Sequence, residues 1–99
     1  MADDKIMVLA RFKANKGMED QLREVLMTCA IQTRAEAGCI NYDLYQLEND
    51  KTGLILHENW RSKKDHDLHM KMPYVVEMVA KIGGLCSAPA EITRWEMLK

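Results

Sequence analysis

The chain has 99 residues, 47% hydrophobic and 29% charged, with a formal net charge of −1. Such a length argues for a single domain, residues 1–99, with a core so small that a partner subunit would help to shelter it. The near-neutral balance supplies no basic surface for nucleic acid, and no apolar run approaches the ~18 residues that a membrane span needs.

The N-terminal Met1-Ala2-Asp3-Asp4-Lys5 is short and acidic. It lacks the positive and then apolar segments of a secretory leader, so a cytoplasmic location is expected. From Lys5 to Ala14 the pattern alternates, with Ile6, Val8, Ala10 and Phe12 on one parity. Met7 and Leu9 begin the other parity, which turns charged at Arg11 and Lys13. The spacing predicts a strand with one apolar face and one half-apolar face. Asn15-Lys16-Gly17 reads as a turn.

From Met18 the period becomes helical, with Leu22, Val25, Leu26 and Cys29 on one side. Glu19 and Asp20 suit the positive end of the helix dipole, and the helix is expected to run to about Ala37 and stop at Gly38. Cys39 to Leu47 returns to period two, placing Ile40, Tyr42 and Leu44 opposite Asn41, Asp43 and Tyr45. A polar turn, Glu48 to Gly53, leads to a strand from Leu54 to Trp60, and the two strands form a predicted hairpin.

Ser62 fits an N-cap, with Asp65 in the first turn, so a short helix is predicted over Lys63 to Met70. Pro73 starts a second helical piece with a Val75, Met78, Val79, Ile82 stripe that ends at Gly83-Gly84. Glu91 to Leu98 is the last predicted strand. The order β-α-β-β-α-β defines a ferredoxin-like α+β fold, a four-stranded antiparallel sheet with its helices on one face. The other face, apolar at Met7 and Leu9, is left bare, and pairing with a second copy of the chain is the simplest way to cover it.

No phosphate-binding loop, dinucleotide fingerprint, nucleophile elbow or H-E-x-x-H is present. Cys29, Cys39 and Cys86 are odd in number, far apart and without a C-x-x-C pair, so they read as reduced, mostly buried thiols rather than a disulfide or zinc framework. Three groups of residues can carry chemistry. Glu58 shares a strand face with Leu54, Leu56 and Trp60; there it is either ion-paired to an Arg or Lys on a neighbouring strand or subunit, or held at a raised pKa and able to move protons. His66 and His69 lie one helical turn apart, compatible with a metal pair but more simply with a solvated flank and one inward histidine. His69 is the expected inward one, placed to act as a general base or to hydrogen-bond a ligand. Phe12, Tyr42, Tyr45, Trp60, Tyr74, Met70, Met72 and Met78 either line a pocket for a flat apolar ligand or fill the core.

Gly38-Cys39-Ile40-Asn41-Tyr42, Glu58-Asn59-Trp60, His69 and Pro73, in that spacing, resemble the antibiotic biosynthesis monooxygenase family. The resemblance runs from the first strand through the second helix. It implies a dimeric α+β barrel, two such sheets packed face to face. It also implies a monooxygenase that needs no cofactor and acts on phenolic, quinol or polycyclic aromatic small molecules. On that likeness His69 and Glu58 are the expected catalytic residues, and Trp60, Tyr42, Tyr74 and Phe12 the expected substrate contacts. Tyr74 stands where the quinol-oxidising and autoinducer-processing branches carry a second histidine, and Leu56 where some anthrone oxygenases carry asparagine. The haem-degrading branch is excluded by Ala10 in the first strand and by the lack of any histidine after His69. Two other readings remain: an isomerase of a small oxygenated metabolite using His69 or Glu58, and a non-catalytic homodimer whose pocket is filled by its own side chains.

Overall fold

A computed structural model describes residues 4–99; residues 1–3, the start of the acidic N-terminal run, lie outside the described part. The elements are β1 (Ile6–Lys13), α1 (Glu19–Thr33), β2 (Cys39–Gln46), β3 (Gly53–Trp60), α2 (Lys63–Met70), α3 (Pro73–Ile82) and β4 (Glu91–Glu96). The strands form one antiparallel sheet in the order β2-β3-β1-β4, the ferredoxin-like arrangement expected from the sequence.

Strand parity decides which side chains enter the core. Ile6, Val8, Ala10 and Phe12 of β1 are buried, as are Leu54, Leu56, Glu58 and Trp60 of β3. The register pairs Val8 with Glu58 and Ile6 with Trp60, so these residues share one sheet face. Helix α1 packs there through Leu22, Leu26, Cys29, Ala30 and Thr33, and α3 through Val75, Met78 and Ile82. Val79, expected on that stripe, is 46% exposed. Truncating a fully buried leucine such as Leu22 to alanine in such a core costs about 2–5 kcal/mol.

Helix α1 and strands β2 and β4 depart from expectation. Helix α1 ends at Thr33 rather than Ala37, because the next turns tighten: Ala35 N–H donates to Gln32 O and Glu36 N–H to Thr33 O. Gly38 is therefore no helix stop. Its buried Cα faces Asp65 at the start of α2, where a Cβ would come within 2.4 Å of the Asp65 Cβ and Cγ. In β2 the register steps from Cys39 opposite Trp60 to Asn41 opposite Asn59, so Ile40 is an extra residue and is exposed. Strand β4 stops at Glu96, before Leu98, and all six of its residues are exposed.

Helix α2 begins as predicted, with the Ser62 Oγ accepting from the Asp65 N–H at 3.1 Å. Gly17, with φ of +90°, makes the turn into α1. Cys29 is buried while Cys39 and Cys86 are only partly so, and all three are free thiols. Among the described residues no helix is long and apolar enough to cross a membrane.

Candidate active site

Helix α2 is short and mostly charged on its outer side, so the inward positions His66 and His69 are its only buried residues. Each is 2% exposed. One inward histidine was expected; both point in, because residues three apart share a helix face and that face lies on the sheet. Their rings stack with centroids 6.0 Å apart. The His69 ring also lies 4.7 Å from Trp60, 5.5 Å from Tyr42 and 6.4 Å from Tyr74, which fixes its plane.

His69 Nδ1 is 2.8 Å from Glu36 Oε2. The Tyr74 hydroxyl donates to the same oxygen, with Thr33 Oγ1 3.3 Å away. Burial pushes the His69 pKa below its ordinary value, outweighing the opposite pull of the Glu36 hydrogen bond. The ring is therefore a neutral imidazole that donates Nδ1–H to a carboxylate, leaving the Nε2 lone pair as an acceptor.

Within the chain, Glu58 has no Arg or Lys partner among the described residues, so the ion pair expected from a neighbouring strand is not formed. Its Oε1 accepts from the Trp60 indole Nε1–H at 2.8 Å, and His66 Nε2 lies 4.0 Å from the same oxygen. Burial raises the Glu58 pKa to about 7, against the lowering effect of the indole hydrogen bond and with a smaller upward push from Glu36. The His66 pKa falls to about 4, first through burial and then through the positive Arg94.

A cavity of about 610 Å³ opens beside these groups. That volume lies within the range of small-molecule sites. Ala10, Phe12 and Leu56 form its sheet wall, and Met70, Val75 and Met78 its helix wall. Tyr42, Glu58, His66 and His69 supply most of its polar lining. Exposed Val79 and Ile92, with the 87–89 segment, stand at the outer side.

Of the expected catalytic residues and substrate contacts, His69, Glu58, Tyr42 and Phe12 line this cavity, as do Met70 and Met78 of the apolar set. Trp60 is fully buried in the core and does not line the cavity; it meets the site through its bond to Glu58 and its packing on the His66 and His69 rings. Tyr74 is turned toward Glu36 and lines a separate surface groove between α1 and α3. Glu36 and His66 were not singled out for these roles. Glu36 was placed inside α1, and only the unforeseen turn after Thr33 brings it to His69. For His66 the three-residue spacing from His69 was the available signal.

The chain is thus a ferredoxin-like α+β protein with a cavity between its helices and its sheet and a carboxylate-backed imidazole in the cavity wall. The chain belongs to the antibiotic biosynthesis monooxygenase family, whose sequence model matches residues 5–81. Rv0793 of Mycobacterium tuberculosis, provisionally named as a monooxygenase, is 35% identical over 88 residues, which cover 89% of this chain and 86% of that protein. Its solved structure superposes with a TM-score of 0.90 over 96% of both chains. The uncharacterised protein sll1783 of Synechocystis is 33% identical over 91 residues, 92% of this chain, but the match spans only 62% of its length. The structure of PA3566 from Pseudomonas aeruginosa, 23% identical with a TM-score of 0.92 over 100% of this chain and 99% of its own, shares the fold.

Proposed function

We propose that this protein is a monooxygenase needing neither metal nor flavin, working as a homodimer on a phenolic, quinol or polycyclic aromatic small molecule. The observation that carries the reading is His69, its Nδ1 2.8 Å from Glu36 Oε2, in the wall of a mostly apolar cavity. His69 Nε2 takes the proton of a substrate hydroxyl, and the resulting anion is electron-rich at ring carbon. Dioxygen adds there as a peroxide. Loss of the carbon-bound hydrogen then forms the new C=O as the O–O bond breaks. One oxygen stays on the product and the other leaves as water with the two hydrogens the substrate loses. The substrate supplies all the electrons. The protein contributes deprotonation, orientation and exclusion of water. Tyr42 and Phe12 contact the ligand, Tyr74 holds Glu36, and Trp60 holds Glu58. Family membership and the provisional name of Rv0793 support the same reading.

The sheet face away from the helices supports the homodimer. Met7, Leu9 and Ile55 lie there only partly buried, flanked by Trp95 and Tyr45 at 51% and 54% exposure. An apolar strip of that kind is sheltered by a twin.

Oxygen uptake with a panel of hydroquinones and anthrones tests the activity. Uptake is expected, and His69→Ala should slow it by about 100-fold or more. No uptake across the panel, or an unchanged rate in the variant, would overturn the assignment. Turnover that persists without oxygen would favour the isomerase instead. The third reading, a pocket filled by its own side chains, is opposed by the open cavity beside His69.

A further inference from the structure

Glu58 holds two oxygens in different surroundings. The indole of Trp60 can only donate, so the 2.8 Å contact fixes Oε1 as an acceptor. His66 Nε2 approaches the same Oε1 at 4.0 Å. Oε2 makes no hydrogen bond among the described residues, and Glu58 lines the cavity. His66 carries a matching constraint. Its Nδ1 is buried with no hydrogen-bond partner among the described residues. A neutral imidazole bears one N–H; on Nδ1 that hydrogen would be a buried donor without an acceptor, whereas on Nε2 it faces a carboxyl oxygen. At 4.0 Å the pair lies one small side-chain adjustment beyond hydrogen-bond length.

We propose that His66 is a positioning residue for Glu58: its Nε2–H joins the Trp60 indole on Oε1, so the acid proton of Glu58 sits on Oε2 and faces the cavity. Its use in catalysis rests on the oxygenase reading above. The site then holds two separately wired proton groups. His69 Nε2 takes the hydroxyl proton, and Glu58 Oε2–H delivers a proton to the outer oxygen of the substrate peroxide. His69 returns its proton to that same oxygen, which leaves as water as the O–O bond breaks, and Glu58 regains its proton from the carbon-bound hydrogen lost in the same step.

The groups around this pair do not supply a competing proton at neutral pH. Cys29, Cys39 and Tyr42, from α1 and β2, are all pushed up by burial and stay neutral. His69 is neutral and bound to Glu36. Arg94 of β4 is paired with Asp67 of α2 at 2.6 Å, so each screens the other's effect on His66.

The test uses the whole protein labelled with 15N-histidine and 13C-glutamate, followed by NMR from about pH 5 to about pH 9. His66 should read as the Nε2–H tautomer throughout, and Glu58 should titrate near 7. In His66→Leu a donor that favours the carboxylate is gone, so the Glu58 midpoint should rise by roughly one pH unit, a tenfold change in its dissociation constant. His66→Gln keeps an amide N–H and should bring the midpoint back. An Nδ1–H tautomer would overturn the proposal, as would a Glu58 midpoint that stays or falls in His66→Leu. Should that variant fail to fold, the wild-type tautomer decides alone. With a substrate in hand, the alkaline limb of kcat should move up in His66→Leu while KM holds. Lack of oxygen turnover in the wild type would sink the oxygenase reading without touching the NMR outcomes.

Discussion

At the scale of single residues, the informative group is a carboxyl buried beside an indole. Glu58 is 3% exposed and its pKa lies near 7, above the 4.5 of a free glutamate. Between those values the unfolded chain ionises this group and the folded chain does not. Its favourable contribution is therefore complete below about 4.5 and is lost as pH rises through about 7. Glu58→Gln removes the titration. The stability of the variant relative to wild type should grow by on the order of 3 kcal/mol from acid to mildly alkaline pH. His66 works in the opposite direction, since its lowered pKa makes its contribution complete above 6.5 and lost as pH falls toward about 4. Being present in both proteins, it cancels in the comparison. Urea unfolding at a series of pH values provides the check, and a difference that stays flat would show that Glu58 is ionised in the folded chain. The sequence made Glu58 visible because period two placed it among apolar neighbours, and it put Trp60 on the same face. It did not reveal that the indole would serve as hydrogen-bond donor, because parity fixes a face and not the reach of a side chain. His66 was harder still: the helix around it, Lys63 to Met70, is too polar for an apolar stripe to mark its inner side.

At the scale of elements, the position of α2 decides whether the site exists. Its first turn lies directly on the buried Gly38, and its Ser62 cap and its two histidines follow within eight residues. Gly38→Ala would drive a methyl group into Asp65, against Cβ and Cγ atoms that cannot swing away without moving the helix. The expected loss is about 1–3 kcal/mol, with His69 displaced from Glu36. Gly84→Ala, which meets open space, should be close to neutral and serves as the control. Equal urea midpoints for Gly38→Ala and wild type would show that α2 tolerates the displacement. The glycine was legible in the sequence, but for a different reason. It looked like a helix stop because the polar stretch from Gln32 to Ala37 carries no signal that distinguishes a last helical turn from a tightened one. Glu36 was lost to sequence reasoning through the same ambiguity, since a side chain on an outer helical turn and one folded back over His69 have the same neighbours in the chain.

At the scale of the whole molecule, the order of elements was fully readable, because the hydrophobic period changes at each boundary and a glycine, proline or polar run separates the pieces. What the period also foretold was an uncovered face. The described chain bears this out on its free side, where Met7, Leu9, Ile55, Tyr45 and Trp95 meet solvent. A dimer formed through that face should scatter light as twice 11.4 kDa at micromolar concentration. Leu9→Asp, which places a charge at its centre, should return the mass to that of one chain. Ile31→Asp, equally drastic but on the outer side of α1, should leave the dimer intact. Monomeric wild type would refute the pairing, and so would dimers that survive Leu9→Asp but not Ile31→Asp. The same surface bears on β4. Every residue of that strand is exposed in the single chain, and its ladder is made with β1 alone. A partner laid over Trp95 would shelter the outer side of this edge. Amide exchange in β4 should therefore slow with rising protein concentration, and in Leu9→Asp it should be fast while the β1–β3 ladder stays protected.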